Sequence, residues 1–359
     1  MPLNTKSIKP VKPRPLSQWH GRVKAIAALG LFLVLLIGAA TATGSTDISI
    51  DIISRLFISR LPFAGTTETL PGSLETIIFD IRLPRVLLAG IVGAALAVAG
   101  ATYQGLFRNP LADPYLIGVA QGASLGAVTG FLLPVSGSFL GIGIVPVFAF
   151  AGAMMATAIV YGISRSGSNV AVSTLILAGV ALGALLGSIV SYLVIFSGDK
   201  IHGIIFWLMG SFSLSQWSDV QIVLPYVAAG TIVILLCARQ LNIMQLDEEQ
   251  AQQLGINVER LKLILLAAAT LITASAVSFV GTIGFVGIIV PHTVRLIWGA
   301  DHRFLLPLSI LTGAIFMIIA DLIARVALSP LEIPIGVITA LFGAPFFLYL
   351  LRRRRKYVF

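Results

Sequence analysis

Residues 86–106 read VLLAGIVGAALAVAGATYQGL, a run of 21 residues that contains no charged side chain. A transmembrane helix needs about 20 mainly apolar residues, which is the length of this run. Because the bilayer core offers no hydrogen bonds to the backbone, a spanning segment must satisfy its own, and a helix does so. The run therefore predicts a membrane-spanning helix.

The composition extends this prediction to the whole chain. Of 359 residues, 57% are hydrophobic and only 11% are charged, whereas a water-soluble domain usually carries about 25% charged residues. The chain lacks the polar groups to cover a soluble surface of its size. Because Cys237 is the only cysteine in the sequence, a disulfide within the chain is excluded.

Ten apolar segments of this kind follow one another along the chain. They cover residues 25–43, 86–106, 115–133, 141–163, 170–196, 222–238, 263–279, 283–298, 304–324 and 335–351. We therefore expect an all-α polytopic membrane protein with a ten-helix domain over 25–351 and basic tails at 1–24 and 352–359. The apolar stretch 203–212 is too short to cross and predicts a re-entrant or interfacial helix on the outer side.

The distribution of basic residues predicts the orientation. If ten spans place both termini in the cytoplasm, 18 of the 24 lysines and arginines lie on that side, and 9 of the 15 acidic residues lie on the other. The positive-inside rule selects this arrangement. The net charge of +9 is then mostly a topology signal, which argues against nucleic-acid binding.

The N-terminus also allows a second interpretation. Lys24, an apolar stretch and the small residues 40–42 could form a cleaved signal peptide. However, the apolar stretch of about 18 residues exceeds the 7–15 expected of such a peptide. Cleavage would leave nine spans with the N-terminus outside.

Glycines recur every four residues in two segments. They are Gly118, Gly122, Gly126 and Gly130 in the third segment, and Gly179, Gly183 and Gly187 in the fifth. On a helix this spacing puts them on one face, where backbones can approach closely. Tight helix packing is one interpretation, and a translocation path or dimer axis along the fifth segment is the other.

The segment 247–260 predicts a folded cytoplasmic element. Asp247 followed by Gln250 fits a capping box, Gly255 is a natural helix stop, and Asn257 can cap the next helix. A plain connector needs only a few residues. The pattern therefore favours a docking surface.

Arg82, Arg85 and Arg325 lie at the outer ends of their segments. Charged groups at a membrane boundary often reach to the interface without further function. Guanidinium groups also pair bidentately with carboxylates, so the three could face outward to meet an acidic partner. Asp321, one turn before Arg325, could pair with it and weakens the partner interpretation.

No catalytic set is found in the sequence. It contains no phosphate-binding G-x-x-x-x-G-K-[ST] loop and no H-E-x-x-H metal pair, so we expect no metal site and no ATPase site. Ion-coupled carriers usually place charges deep in the membrane, and these segments are nearly free of charges. The chain is expected to use a partner ATPase, with an ion-coupled carrier or a membrane enzyme as alternatives.

Several motifs together resemble one family. They are RLPR at 82–85, GLFRNPLADP at 105–114, LAGVALG at 177–183, QLG at 253–255, GFVGIIVPH at 284–292, DHR at 301–303 and EIPIGVITA at 332–340. In order and spacing they resemble the permeases of iron-chelate (siderophore or haem) and vitamin B12 ABC importers, the FecCD-like family. The resemblance covers about residues 77–351.

The resemblance implies a homodimer of ten-span subunits with two pseudo-symmetric halves in the cytoplasmic membrane. Two ATPase subunits, which bind ATP and Mg²⁺, would lie below it, and a soluble or lipid-anchored substrate-binding protein above. No cofactor is implied in this chain itself. Ferric siderophore is the expected cargo, with cobalamin or haem next.

The resemblance also implies roles for individual residues. Arg82, Arg85 and Arg325 match positions that meet the binding protein, and Gly179, Gly183 and Gly187 would line the translocation path. Asn109, Leu111, Val172 and Ser173 match the cytoplasmic gate, although Val172 stands where the family often has a hydroxyl residue. The ATPase-coupling residues would be Asp247, Glu248, Gln250, Leu254, Gly255 and Arg260.

Overall fold

The computed structural model describes residues 16–44, 72–134, 138–139, 142–167 and 169–354, and they form a helical bundle. The helices are α1 (Leu16–Ala42), α2 (Gly72–Leu106), α3 (Val119–Leu132), α4 (Ile144–Ser164), α5 (Val172–Ile195), α6 (Ile201–Met209), α7 (Trp217–Leu236), α8 (Ala238–Ile243), α9 (Glu248–Gln253), α10 (Val258–Val280), α11 (Val286–Trp298), α12 (His302–Val326) and α13 (Ile335–Arg354). Short 3-10 helices cover Pro114–Ile117 and Gly198–Lys200. Two-residue strands form two antiparallel pairs, β1 (Ser138–Phe139) with β2 (Ile142–Gly143) and β3 (Arg165–Ser166) with β4 (Asn169–Val170).

Each of the ten predicted apolar segments coincides with a helix, but the helices differ in length. Within the described residues, seven are long and apolar enough to cross a membrane, namely α1, α2, α4, α5, α7, α10 and α12. Helices α3 and α11 and the apolar part of α13 are shorter. The all-helical membrane fold is confirmed, whereas the count of ten crossings stays a prediction.

Helix α2 begins earlier than the sequence pattern indicated. It starts at Gly72 rather than near residue 86 and passes through a π-helical turn over Thr76–Arg82. Pro84 lies shortly after this turn, and because it has no N–H it cannot continue the hydrogen-bond ladder at that position. The π turn joins the two parts, so Arg82 and Arg85 lie inside a continuous helix instead of preceding it.

The centre of the bundle is α2, whose part Leu83–Leu106 is buried along nearly its whole length. It packs against α12, α10 and α11. A methyl group added at Gly93 would lie 2.2 Å from the carbonyl oxygen of Gly313 in α12, and one at Gly100 would lie 2.0 Å from that of Gly287 in α11. Only glycine permits these helices to approach so closely.

The glycine stripe of the third predicted segment serves helix packing. A methyl group at Gly122 would lie 2.4 Å from the carbonyl oxygen of Gly152, and one at Gly126 would lie 2.0 Å from that of Phe148. Both carbonyls belong to α4, so α3 and α4 are in backbone contact. The packing interpretation is confirmed for Gly122 and Gly126, whereas Gly118 precedes α3 with φ of +84° and is not part of its face.

Two ends of the bundle gather most of its polar side chains. At the first, which we call the Arg85 end, the termini of α1 and α12 meet the start of α2 and the loops before α7 and α13. At the second, the Lys262 end, the segment 238–262 meets the C-terminus of α2, β4 and the start of α12. The candidate site residues divide between these ends.

Candidate functional site

The Arg85 end contains an ion cluster around the buried Arg85 side chain. The Arg85 side chain donates through Nε and Nη2 to Asp321 Oδ1 at 3.0 and 2.9 Å, and through Nη1 to Glu332 Oε1 at 2.7 Å. Asp321 is 1% exposed, and Glu332 also accepts a short hydrogen bond from Ser213 Oγ. The cluster therefore joins α2, α12 and the loops that precede α7 and α13.

Glu332 is held ionised by its donors. Burial raises the pKa of its carboxyl, but hydrogen bonds from Arg85 and Ser213 outweigh this effect, so the pKa lies below its usual value. Since the folded pKa is depressed, this contribution to stability is fully present above the unfolded value of about 4.3 and is lost as the pH falls through the lower folded pKa.

Arg325 is attached to the same cluster. Its Nε lies 3.0 Å from Asp321 Oδ2, without the alignment of a hydrogen bond, so the contact is an ion pair. The expected pairing of Asp321 with Arg325 is confirmed. The other guanidinium nitrogens of Arg325 donate to the carbonyl oxygens of Thr43 and Ala40, each at 3.2 Å.

Arg82 also binds the end of α1. Its Nη1 donates to the carbonyl oxygen of Ala42 at 2.7 Å and lies 3.5 Å from that of Thr41. The last carbonyls of a helix have no partner within the helix, and its C-terminal end attracts cations. Arg82 and Arg325 therefore cap α1.

The three arginines are not presented to solvent in this conformation. Arg82 is 6% exposed, Arg85 8% and Arg325 6%, whereas the sequence led us to expect side chains that face outward. The reason is that acceptors within the chain, Asp321, Glu332 and the end of α1, occupy the guanidinium groups. Their role in docking stays a prediction.

The predicted coupling element is folded. The N–H groups of Gly255 and Ile256 donate to the carbonyl oxygens of Gln252 and Ala251, at 2.9 and 3.1 Å, which closes α9 in a Schellman motif. Gly255 has φ of +83°, a conformation that favours glycine. The expectation that Gly255 stops this helix is confirmed.

The two predicted caps have different outcomes. Asn257 Oδ1 accepts a hydrogen bond from the backbone N–H of Arg260 at 3.0 Å and caps α10, as expected. The capping box at Asp247 is wrong, because the Asp247 side chain makes no capping hydrogen bond. Instead, Asp247 Oδ1 accepts from Arg108 Nη1 at 3.0 Å, and this pairing turns the carboxylate away from the helix.

The element also presents an apolar side chain to its surroundings. Leu254 is 61% exposed, and Gln250, beside it on the same short helix, is exposed as well. Arg260 is exposed on the first turn of α10. The remaining coupling candidate, Glu248, is half-buried and forms an ion pair with Lys262.

The predicted gate residues lie on two segments of the Lys262 end. Asn109 Oδ1 accepts from the backbone N–H of Leu111 at 3.0 Å, which orders the loop after α2. Val172 is partly buried and Ser173 is exposed at the first turn of α5. The loop continues into the 3-10 helix Pro114–Ile117, which packs on α5. A gate formed by these residues stays a prediction.

The glycines of α5 differ from one another in their surroundings. A methyl group at Gly179 would lie 2.1 Å from the carbonyl oxygen of Leu116, so this glycine permits a close approach. Gly183 has only the Gln121 side chain nearby, at 3.9 Å, and a methyl group at Gly187 would meet nothing within 4 Å. Packing within the chain therefore explains Gly179 and leaves the other two unexplained.

The sequence interpretation missed several partners at both ends. Glu332 and Ser213 belong to the Arg85 cluster, while Arg108 and Lys262 contact the coupling element. Lys262 directly precedes the apolar segment 263–279 and follows Glu259 by three residues, a spacing that indicates an ion pair on a helix. Among the described residues, no group of three or more His, Cys, Asp or Glu side chains is placed to hold a metal ion.

Known proteins are similar to this chain over most of its length. The FecCD transport family matches residues 30–353. The chain is 50% identical to the cobalamin import system permease protein BtuC of Halobacterium salinarum, over 79% of this chain and 75% of that protein. It is 40% identical to the hemin transport system permease protein HmuU of Yersinia pestis, over 94% and 98%. It is 38% identical to the Fe(3+)-citrate import system permease protein YfmE of Bacillus subtilis, over 89% and 95%.

Solved structures give the same picture of the fold. The chain resembles an inward-facing metal-chelate type ABC transporter with a TM-score of 0.77 and 32% identity, over 92% of this chain and 99% of that one. A second similar fold is that of PsaBC from Streptococcus pneumoniae in complex with Fab, with a TM-score of 0.53 and 21% identity, over 77% and 93%. The second likeness concerns the fold alone.

Proposed function

Because this chain belongs to the FecCD transport family, we propose that it is the membrane-spanning permease of an ATP-driven importer of metal chelates. Its relatives with named cargoes are permeases for cobalamin, haemin and ferric citrate. A partner subunit hydrolyses the ATP, with Mg²⁺ bound there. The permease forms the path that the cargo takes through the membrane.

The observation that carries the proposal is the folded element 247–260. It closes with a Schellman motif and a side-chain cap, yet it exposes Leu254. A connector needs only a few residues, so a capped element of this length suits a docking surface for a protein partner, with Leu254 as its apolar anchor. We infer that two ATPase subunits bind here, one on each copy of a homodimer, and that this end is cytoplasmic.

Helix α5 is the candidate for the path and the dimer axis. Its apolar side chains are largely exposed in the single chain, among them Leu177 at 71% and Ile195 at 74%. The open spaces beside Gly183 and Gly187 leave room on the same helix. A second copy of the chain would cover part of this face, and the remainder would line a channel closed inside by Asn109, Leu111, Val172 and Ser173.

The opposite end would receive the substrate-binding protein. Arg82, Arg85 and Arg325 concentrate positive charge there, close to the surface loops before α7 and α13. Acidic groups of a binding protein would compete with Asp321 and Glu332 for these guanidinium groups. Docking above and ATP hydrolysis below would together switch α5 between outward and inward states.

The cargo is expected to be a ferric siderophore, with cobalamin or haem as the alternatives. Relatives similar to this chain serve chemically different chelates. An apolar channel need not recognise its cargo closely, so specificity would lie mostly in the binding protein.

The test is reconstitution. The permease is purified with its partner ATPase and binding protein, inserted in liposomes, and supplied with ferric siderophore, cobalamin or haem. We expect ATP-dependent uptake of one cargo and ATP hydrolysis stimulated by the loaded binding protein. Uptake that follows an ion gradient without ATP would contradict the proposal and favour a secondary carrier.

A further inference from the structure

Lys262 is a buried cation at the start of α10. Its side chain is 3% exposed, and its ammonium nitrogen contacts three acceptors. These are Glu248 Oε2 at 2.9 Å, Glu259 Oε1 at 3.0 Å and the backbone carbonyl oxygen of Val170 at 3.1 Å. All three donors of the ammonium group therefore have a partner.

The three acceptors belong to three different segments. Glu248 is the first residue of α9, Glu259 lies on the first turn of α10, and Val170 ends β4, two residues before α5 begins. Glu259 also accepts a hydrogen bond from the backbone N–H of Val170 through Oε2 at 2.9 Å. Both backbone polar groups of Val170 are thus held by α10, and α9 is attached to the same point.

Packing does not require a charge at this position. The neighbouring core positions of α10, Leu261 and Leu265, are apolar and buried. A lysine near a helix end usually extends its ammonium group to water, but this one is turned inward. A buried charge is costly unless it is paired, so the three acceptors are needed to hold the ammonium group here.

The other polar contact of α9 is of a different kind. Asp247 and Arg108 lie 3.0 Å apart, but their side chains are 77% and 40% exposed. Exposed ion pairs contribute little to stability and are screened by salt. The contact through Lys262, whose side chain is 3% exposed, is therefore better shielded from water and salt than the pair of Asp247 and Arg108.

We propose that Lys262 is a positioning residue that transmits a displacement of α9, through Glu248 and Val170, to the first turn of α5. The inference rests on the proposed function, because it assumes that an ATPase moves α9. A shift of Glu248 draws the Lys262 ammonium group with it, and the bonded Val170 carries the strand that enters α5. Val172 and Ser173 follow directly along the chain.

The test measures the movement at Ser173. Ser173→Cys is introduced in a Cys237→Ser background, and the complex with its ATPase is reconstituted in liposomes. Maleimide labelling rates are compared without nucleotide and with ATP plus vanadate. In this background we expect the rates to differ by about fivefold or more, in the range of typical coupling between sites.

Two substitutions break the connection from opposite sides. With Lys262→Met, we expect the nucleotide effect on labelling to fall below about twofold, while ATP hydrolysis continues. With Glu248→Ala, which also alters the proposed ATPase-binding element, we expect the same fall, and the amount of bound ATPase is measured alongside. The double variant should lose no more than either single one, because partners in one contact are not additive. Lys24→Met removes an exposed lysine of α1 and should keep the full response.

Three outcomes would overturn the proposal. A full response in both single variants would contradict transmission through Lys262 and leave the proposed function intact. Loss of assembly and of ATP hydrolysis together in both variants would make the contact merely structural. A background protein that labels equally in both states would contradict the inference and the proposed gate at once.

Discussion

At the residue scale, the most informative groups are the arginines that bind within the chain. Arg85 has two carboxylate partners of its own, and Arg82 binds the end of α1. Removing one member of a buried pair leaves an uncompensated charge, which typically costs about 3–5 kcal/mol. Substitutions that test docking must therefore avoid Asp321, which is 1% exposed, and use the partly exposed Glu332 instead.

Glu332→Gln and Arg82→Glu should change docking in opposite directions. The first weakens an internal competitor for Arg85 and should raise affinity for the binding protein, whereas the second reverses a positive charge and should lower it. Opposite charges steer association and lose strength with salt. Affinity measured across a salt series, with permease reconstituted in liposomes, checks both. Equal affinities and salt slopes for all three proteins would favour a purely structural role.

At the scale of the element, the segment 247–260 is a rigid unit with one exposed apolar side chain. Its shape depends on Gly255, since other residues at a positive φ carry strain of roughly 1–2 kcal/mol. Its surface depends on Leu254. The shape of the element and its exposed surface can therefore be altered by separate substitutions.

Leu254→Glu should abolish co-purification with the ATPase while the permease still folds and inserts. A charge at the centre of an apolar contact must be desolvated without a partner, which is strongly unfavourable. Leu214, which is 88% exposed at the opposite end of the bundle, provides the matched control. Leu214→Glu should keep the ATPase bound. Normal ATPase binding by Leu254→Glu would show that the docking surface lies elsewhere.

At the scale of the whole molecule, the apolar helices of the bundle lie between two polar ends. Ser73 at the start of α2 lies at the Arg85 end, and Gln252 in α9 lies at the Lys262 end, and both are exposed. The charge distribution predicts that the first faces outward and the second faces the cytoplasm.

Cysteine labelling in intact cells tests this topology. In a Cys237→Ser background, Ser73→Cys should react with a membrane-impermeant maleimide, and Gln252→Cys should react only after the membrane is permeabilised. A reporter fused at the C-terminus should be cytoplasmic, as ten crossings require. External labelling of Gln252→Cys would contradict the ten-span arrangement, because the two positions would then share a side.

The sequence by itself determined the helical membrane fold and the stretch of chain in which each apolar helix lies, but not where α2 begins. The reason is that the bilayer requires about 20 apolar residues in every span, so local composition is sufficient. Local signals also determined the end of α9 at Gly255 and the cap at Asn257, because both depend on neighbours within a few residues.

Only the tertiary structure decided which charged groups meet. Arg85 and Asp321 are 236 residues apart in the chain, and Lys262 and Val170 are 92 apart. The local pattern predicted Asp247 as a helix cap, but its carboxylate pairs instead with Arg108, which follows the end of α2. Partners so distant in sequence leave no local pattern. Their pairing follows from the packing of the helices, which brings each buried charge to the few opposite charges within reach.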